Sequence, residues 1–455
     1  MRKTIVLLLL GVSALLPAQE QDSMLIRRIF NEALTSREAY ENLRWLCKNT
    51  KGRIAGTPEA AAAVEFTRQV MLDMGLDTVY IQELMVKRWV RGDVEFARVI
   101  SSRLGSEDLS VTGLGTSVGT DERGILANVI EVRSFEELDK LGEKRIRGRI
   151  VFFNRPMDPT LINVFRAYGE AVDQRVNGAS EAARYGASAV IVRSVTTAID
   201  DNPHTGVMDY DEGIPRIPAV CVSTMGANLL SAWLKQDPEL KLHLISNCRT
   251  YPDVMSYNVI GEIRGSTRPD EIITVGGHLD AWDIGEGAHD DGAGCIQSIE
   301  VLRLYKVLGI RPKRTVRAVM FMDEEIAQRG AEKYAELAKL NHEKHYVSLE
   351  SDRGGFMPRG FGFSTEDDRL EGLLGLEDYF KPYGITEFTR GGGGVDINPL
   401  KESGTVLISL VPDMQRYGDY HHSPIDTFEQ VNIRELQFGS ASIAVLIYLI
   451  DKYDL

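Results

Sequence analysis

The chain has 455 residues, more than one hydrophobic core usually organises, so two domains are expected. Hydrophobic residues make up 43% and charged residues 26%, the balance of an ordinary globular protein and not of a disordered or fibrous chain. The formal charge of −14 argues against a nucleic-acid partner, because phosphate binding needs clustered Lys and Arg.

Arg2 and Lys3 precede an apolar run from Ile5 to Leu16, followed by Pro17-Ala18 and the polar Gln19-Glu20-Gln21-Asp22. A basic start, a short apolar stretch and a small residue together predict a cleaved export signal over 1–18, with delivery to the periplasm or the medium. The run is shorter than the roughly 20 residues a membrane span needs. No later segment reads as a span, and no Cys near the cleavage point offers lipid attachment. Export permits disulfides. Among Cys47, Cys221, Cys248 and Cys295, a Cys221–Cys248 pair and four buried free thiols are both open readings.

Along the chain, Ser23 to Met74 reads as helical with a break at Gly52 to Pro58, and Gly75 sits where a C-terminal glycine belongs. Thr78 to Val99 is strand-like. From Ala127 to Ser246 short apolar strands follow: 149–153, 189–192, 217–222 and 240–245. This stretch holds no cluster of metal-ligand residues and reads as an inserted β-rich domain. From Tyr257 onward strand and helix alternate: strands at 272–275, 316–322, 346–349 and 406–410, helices at 293–308, 331–340 and 433–453. The expected fold class is α/β, with a mixed, mainly parallel central sheet flanked by helices. The expected division is signal 1–18, first part of the main domain 19–126, insertion 127–246 and main domain 247–455.

Ligands of open α/β sheets gather beyond the carboxyl ends of the strands. Here those ends carry Gly277-His278-Leu279-Asp280, Asp323-Glu324-Glu325, Glu350-Ser351-Asp352 and Tyr420-His421-His422-Ser423, and His289-Asp290-Asp291-Gly292 opens a helix. Singly, each has a plain reading: Asp290-Asp291 as a helix cap, Glu324-Glu325 as a solvated pair. As a set they suit two divalent metals roughly 3.5–4 Å apart, which need a bridging carboxylate with His and carboxylate ligands on either side. Zinc takes such ligands and leaves a position open for water. A carboxylate that is not a ligand must then move the proton, and Glu324 and Glu325 can divide those tasks.

These runs, with Trp282-Asp283, Asp426-Thr427 and the segment Gly52-Arg53-Ile54-Ala55-Gly56-Thr57-Pro58, resemble the co-catalytic dizinc exopeptidase family, nearest to its carboxypeptidase Q branch. The resemblance covers nearly all of the mature chain, and the insertion resembles a protease-associated domain. It implies two Zn2+ ions, with His278 and Asp352 on one, Glu325 and His422 on the other and Asp290 bridging. It further implies Glu324 as general base and acid, Asp280 orienting His278, a cis peptide between Asp290 and Asp291, and a homodimer acting on peptides. His421 stands where relatives such as the glutamate carboxypeptidases have a Tyr, and Arg353 where a small residue is common. The implied activity is hydrolysis of dipeptides or short peptides; an aminopeptidase is the alternative. A non-catalytic binding protein on the same fold is disfavoured, because every ligand position and Glu324 are filled.

The Gly391 to Gly394 run before Val395-Asp396 lets backbone approach a ligand closely, so Gly393 and Asp396 join His421 and Arg353 as candidate substrate contacts. Arg390 and Arg416 are further candidates for a substrate carboxylate. Gly115-Thr116-Ser117-Val118-Gly119 matches a serine-hydrolase pattern, but no helix is expected after it, so it is set aside. His342-Glu343-Lys344-His345 has the wrong spacing for a zinc helix and reads as a surface turn.

Overall fold

The structure is a computed structural model, and it describes residues 18–455. The export signal expected over 1–18 lies outside the described residues except for Ala18. Helices α1 (Ala18–Thr35), α2 (Glu38–Asn49) and α3 (Pro58–Asp73) come first. Thr57 caps α3 by accepting the Ala60 N–H at 3.1 Å, and Gly75 follows the helix at φ +62. Next are β1 (Thr78–Val90), β2 (Glu95–Ser101), β3 (Gly105–Leu109), β4 (Val111–Gly113), β5 (Ile125–Val132), α4 (Phe135–Ile146) and β6 (Ile150–Phe153). The short helices α5 (Val164–Gly169), α6 (Asp173–Val176) and α7 (Gly178–Arg184) lead to β7 (Ala189–Arg193), β8 (Ala219–Val222), α8 (Thr224–Gln236) and β9 (Lys241–Ser246).

The remainder is β10 (Arg249–Ile263), β11 (Arg268–His278), α9 (Ala293–Leu308), β12 (Arg314–Phe321), α10 (Arg329–Leu340), β13 (Lys344–Glu350) and β14 (Pro358–Ser364). Then come α11 (Asp367–Gly375), α12 (Glu377–Phe380), β15 (Glu387–Arg390), β16 (Val406–Pro412), α13 (Tyr417–Tyr420) and α14 (Ile433–Tyr453).

Two eight-stranded sheets result, in the orders β1-β10-β12-β11-β13-β16-β14-β15 and β3-β2-β9-β5-β6-β7-β8-β4. In the first, the central strands β12, β11, β13 and β16 run parallel, and the antiparallel pairs lie outside them. All eight positions of β12 are buried, as a strand covered on both faces must be. Ala318 and Met320 enter the large core beneath α1, α9 and α14, whereas Val319 and Phe321 meet Tyr334 of α10 on the opposite face. This sheet therefore sits between two helical layers, and its parallel strands end together at one edge.

The second sheet differs from the sequence reading in two ways. It takes in β2, β3 and β4, which precede the boundary expected at 127, because β2 pairs with β9 and β4 with β8. It also carries helices α4 to α8, so the unit is α/β and not simply β-rich. One further difference concerns α14. Its 21 residues are long and apolar enough for a membrane span, against the expectation that no later segment is. The cause is its place in the core: 78% of its apolar window is buried, against α9, α1 and the sheet. The four cysteines are free and buried.

His345 is buried at the start of β13 and not on a surface turn. Its Nε2 lies 3.3 Å from Glu343, which also accepts from Arg317 at 2.8 and 3.1 Å. Burial raises the Glu343 pKa, but His345 and Arg317 outweigh it and hold the carboxyl at about 2. A carboxylate depressed in this way stabilises the fold above its unfolded value near 4.5, and that stabilisation fades as pH falls towards 2. E343Q is expected to lose roughly 2 kcal/mol in urea unfolding at pH 7, with the gap to wild type narrowing between about pH 5 and pH 3. A gap independent of pH would contradict this account.

Candidate metal centre

The parallel strands deliver the metal-type residues to one place. His278 ends β11, Asp323 to Glu325 follow β12, Asp352 follows β13, and His421-His422 follow β16 by way of α13. Asp290 lies in the turn that opens α9. His278 Nε2 is 3.1 Å from Asp290 Oδ1 and 3.6 Å from Asp352 Oδ1. His422 Nε2 is 3.3 Å from Asp290 Oδ2 and 3.1 Å from Glu325 Oε2. The two oxygens of Asp290 thus face two separate sets of donors.

The surrounding backbone is fixed by buried side chains. The Asp290–Asp291 peptide is cis. Asp426 accepts the N–H groups of His289 and Asp290 at 2.8 and 3.1 Å, and Asp291 accepts those of His278 and Gly294 at 3.1 and 2.9 Å. Position 277 must be glycine, since a Cβ there would lie 2.2 Å from Asp291 Oδ2. Arg53, fully buried, donates to the carbonyls of Leu279, Glu286 and Gly287 at 2.6, 2.5 and 2.7 Å. The N-terminal Gly52 to Pro58 signature is therefore a brace for the loop between β11 and α9.

Asp280, expected to orient His278, meets it through its backbone. The backbone carbonyl of Asp280 lies 2.9 Å from His278 Nδ1, whereas the carboxylate is 3.9 Å away. That carboxylate instead accepts the N–H groups of Asp323, Glu324 and Glu325 at 2.9, 3.2 and 3.4 Å, setting the turn that presents Glu324 and Glu325.

The electrostatics call for cations. Among the described residues, the ion pairs of Asp290, Asp352 and Glu325 are with histidines only. Burial pushes the Glu324 carboxyl up to about 8, and neighbouring Asp352, Asp290 and Asp280 add to it. Glu325 rises well above the carboxylate range, by burial first and then by Asp290. Asp352 is raised by burial despite its contact with His278. Asp290 Oδ2, Glu325 Oε1 and Asp352 Oδ1 are buried without a hydrogen-bond partner. Orphaned oxygens beside imidazole nitrogens fit divalent metal and do not suit an empty polar core.

The other candidates divide. His421 stacks on His422 with ring centroids 3.6 Å apart, and burial pushes its pKa to about 4, so it is neutral. Arg353 lies over the Phe165 ring at 5.4 Å, and Arg416 over Tyr420 at 5.0 Å. Arg390 is committed to Asp367 at the surface. Gly393 adopts φ +120. Asp396 does not line an open pocket: it is 1% exposed, and its N–H donates to Glu350 at 2.9 Å. Ser117 donates to the Val118 carbonyl and accepts the Ala219 N–H, which agrees with setting its motif aside. Sequence reasoning passed over the contribution of the second unit, where Tyr168 meets His421 edge-on at 5.2 Å and Thr205 bonds to His422. Those residues belong to no recognisable motif.

Residues 258–446 match the profile of peptidase family M28. Carboxypeptidase Q of Mus musculus is 35% identical over 416 residues, 91% of this chain and 86% of that protein. The Homo sapiens protein of that name is 35% identical over 90% of this chain and 85% of its own. The crystal structure of a peptidase M28 precursor from Shewanella amazonensis superimposes with a TM-score of 0.90 at 30% identity, covering 95% of this chain and 97% of that one. A zinc aminopeptidase from Bacillus subtilis shares the fold, with a TM-score of 0.65 at 18% identity over 91% of this chain and 95% of its own. The chain belongs to peptidase family M28 and is similar to carboxypeptidase Q.

Arg53→Lys tests the brace. Lys cannot reach three carbonyls, so the variant is expected to lose about 2–3 kcal/mol of stability, read as a lowered urea midpoint, together with weaker zinc retention on dialysis. An unchanged midpoint would deny Arg53 this role.

Proposed function

We propose that the protein is an exported dipeptidase or carboxypeptidase that works with two zinc ions. The observation that carries this reading is Asp290, whose two oxygens lie 3.1 and 3.3 Å from His278 and His422. His278 and Asp352 would hold one ion, Glu325 and His422 the other, with Asp290 shared. When bound, the pair supplies Lewis acidity to the scissile carbonyl and to the attacking water. Glu324 is no ligand in this scheme; with cations offsetting the acids that raise its carboxyl, it would accept the proton of the attacking water and return it to the leaving amine. His421, neutral and beside the centre, is placed to donate to the developing oxyanion, as the Tyr of related enzymes would. Arg353 is the candidate partner for a substrate carboxylate, with Gly393 giving backbone room.

The unit built on strands β2 to β9 is proposed as the protease-associated insertion, beginning near residue 95 and not at 127. Export through the leading segment and assembly as a homodimer complete the reading.

Glu324→Gln is expected to retain two equivalents of zinc by elemental analysis while kcat falls about 10²–10⁴-fold. Unchanged turnover would remove Glu324 from the mechanism. The terminus recognised is read by offering one dipeptide free, N-acetylated and C-amidated. Cleavage of the free form alone is expected; cleavage of the amide as well, with the acetylated form refused, would make the enzyme an aminopeptidase.

A further inference from the structure

The family profile begins at residue 258, yet residues well before it reach into the centre. Zinc-binding histidines commonly donate their second ring N–H to a fixed acceptor, which sets both tautomer and orientation. His278 finds its acceptor two residues away, in the Asp280 carbonyl. His422 finds it in the other unit: its Nδ1 lies 3.3 Å from the carbonyl of Thr205. The Thr205 N–H also donates to the His422 carbonyl at 2.8 Å. His422 has φ +58, a left-handed conformation that a residue with a Cβ adopts only uncommonly.

His204 supplies more of that constraint. Its Nδ1 is 2.7 Å from the carbonyl of His421. A carbonyl only accepts, so Nδ1 carries the proton, and burial holds the ring neutral with a pKa of about 4. His204 is 2% exposed, and its Nε2 has no partner. Behind it the second sheet is firm: the His204 N–H donates to Ser194 Oγ at 2.8 Å, and Ser194 Oγ donates to the Val222 carbonyl at 2.7 Å. Thr205 Oγ1 donates to the Gly113 carbonyl and Thr196 Oγ1 to the Gly418 carbonyl, each at 2.7 Å. Gly206, at φ +138, has no room for a Cβ, which would lie 2.3 Å from Arg175 Nη1.

We propose that His204, with the adjoining Thr205 peptide, is a positioning residue of the second unit that fixes His422 for metal binding. The inference rests on the reading of His422 as a ligand. It assigns the second unit a part in the centre itself, beyond any part in shaping the cleft.

Cobalt(II) titration of the full metal-depleted protein, followed by visible absorption, tests it. H204A is expected to weaken one cobalt equivalent about 10–100-fold and alter its spectrum, leaving the other equivalent as in wild type. H204N, whose amide N–H can take the place of Nδ1–H, is expected to restore most of the affinity. If H204A titrates like wild type, or if H204A and H204N weaken alike, the ring serves packing only and the proposal falls. Should H204A not fold, S194A removes the hydroxyl that accepts the His204 N–H and so loosens the placement of His204, and a few-fold weakening of the same equivalent is expected; no weakening overturns the proposal. Wild type binding a single equivalent would sink the two-ion reading alone, and the comparison of H204A with H204N then decides this inference on that equivalent.

Discussion

Mutual repulsion among buried carboxylates is the constraint around which this protein is organised. Asp290, Glu325, Asp352 and Glu324 converge on a site whose nearest ion-pair partners are the imidazoles of His278, His421 and His422, and desolvation makes each negative charge harder to sustain. Left to themselves, Glu324, Glu325 and Asp352 would tend to take up protons, whereas the neighbouring histidines hold Asp290 ionised. Several features answer that tendency. The strand ends are parallel and rigid, and Asp426, Asp291 and Asp280 spend their oxygens on backbone N–H groups that lock the turns. Arg53 ties the longest of these turns to the N-terminal helices. The scaffold holds together a charge arrangement that suits bound cations.

The same constraint distinguishes the supporting acids from the donor set. Asp280, Asp291, Asp426 and Glu350 are as deeply buried as the donors, yet each accepts from backbone N–H groups. The donors keep oxygens without partners. Residue type alone does not separate the two groups; Asp323 and Asp396 also keep buried oxygens without partners, and what marks the donors is that theirs lie beside the imidazoles of His278 and His422.

This explains how far the sequence could be read. The donors stand in short runs at strand ends, and strand, turn and helix are local, so α9 and α14 fall at the residues their patterns mark. The role of Asp280 was not legible in the same way. A His-x-Asp spacing cannot tell whether the carbonyl or the carboxylate faces the imidazole, and here the carbonyl does. Strand partnership was also hidden: β2 joins β9 across some 140 residues, and nothing in either strand names its mate. His204 and Thr205 were invisible because their chemistry is to hold another segment's backbone, which leaves no motif.

The register of β1 against β10 has one more implication. Val90 and Arg249 face each other as partners, so the chain leaves the catalytic sheet and returns to it at neighbouring points. Topologically, everything between them is an excursion that a tight turn could replace without cutting another strand of that sheet. The bonds from His204 and Thr205 to the last histidines say otherwise. By connectivity the second unit is an appendage; by hydrogen bonding it is a component. Shortening the chain there would leave a sheet able to close and a metal centre missing one of its walls.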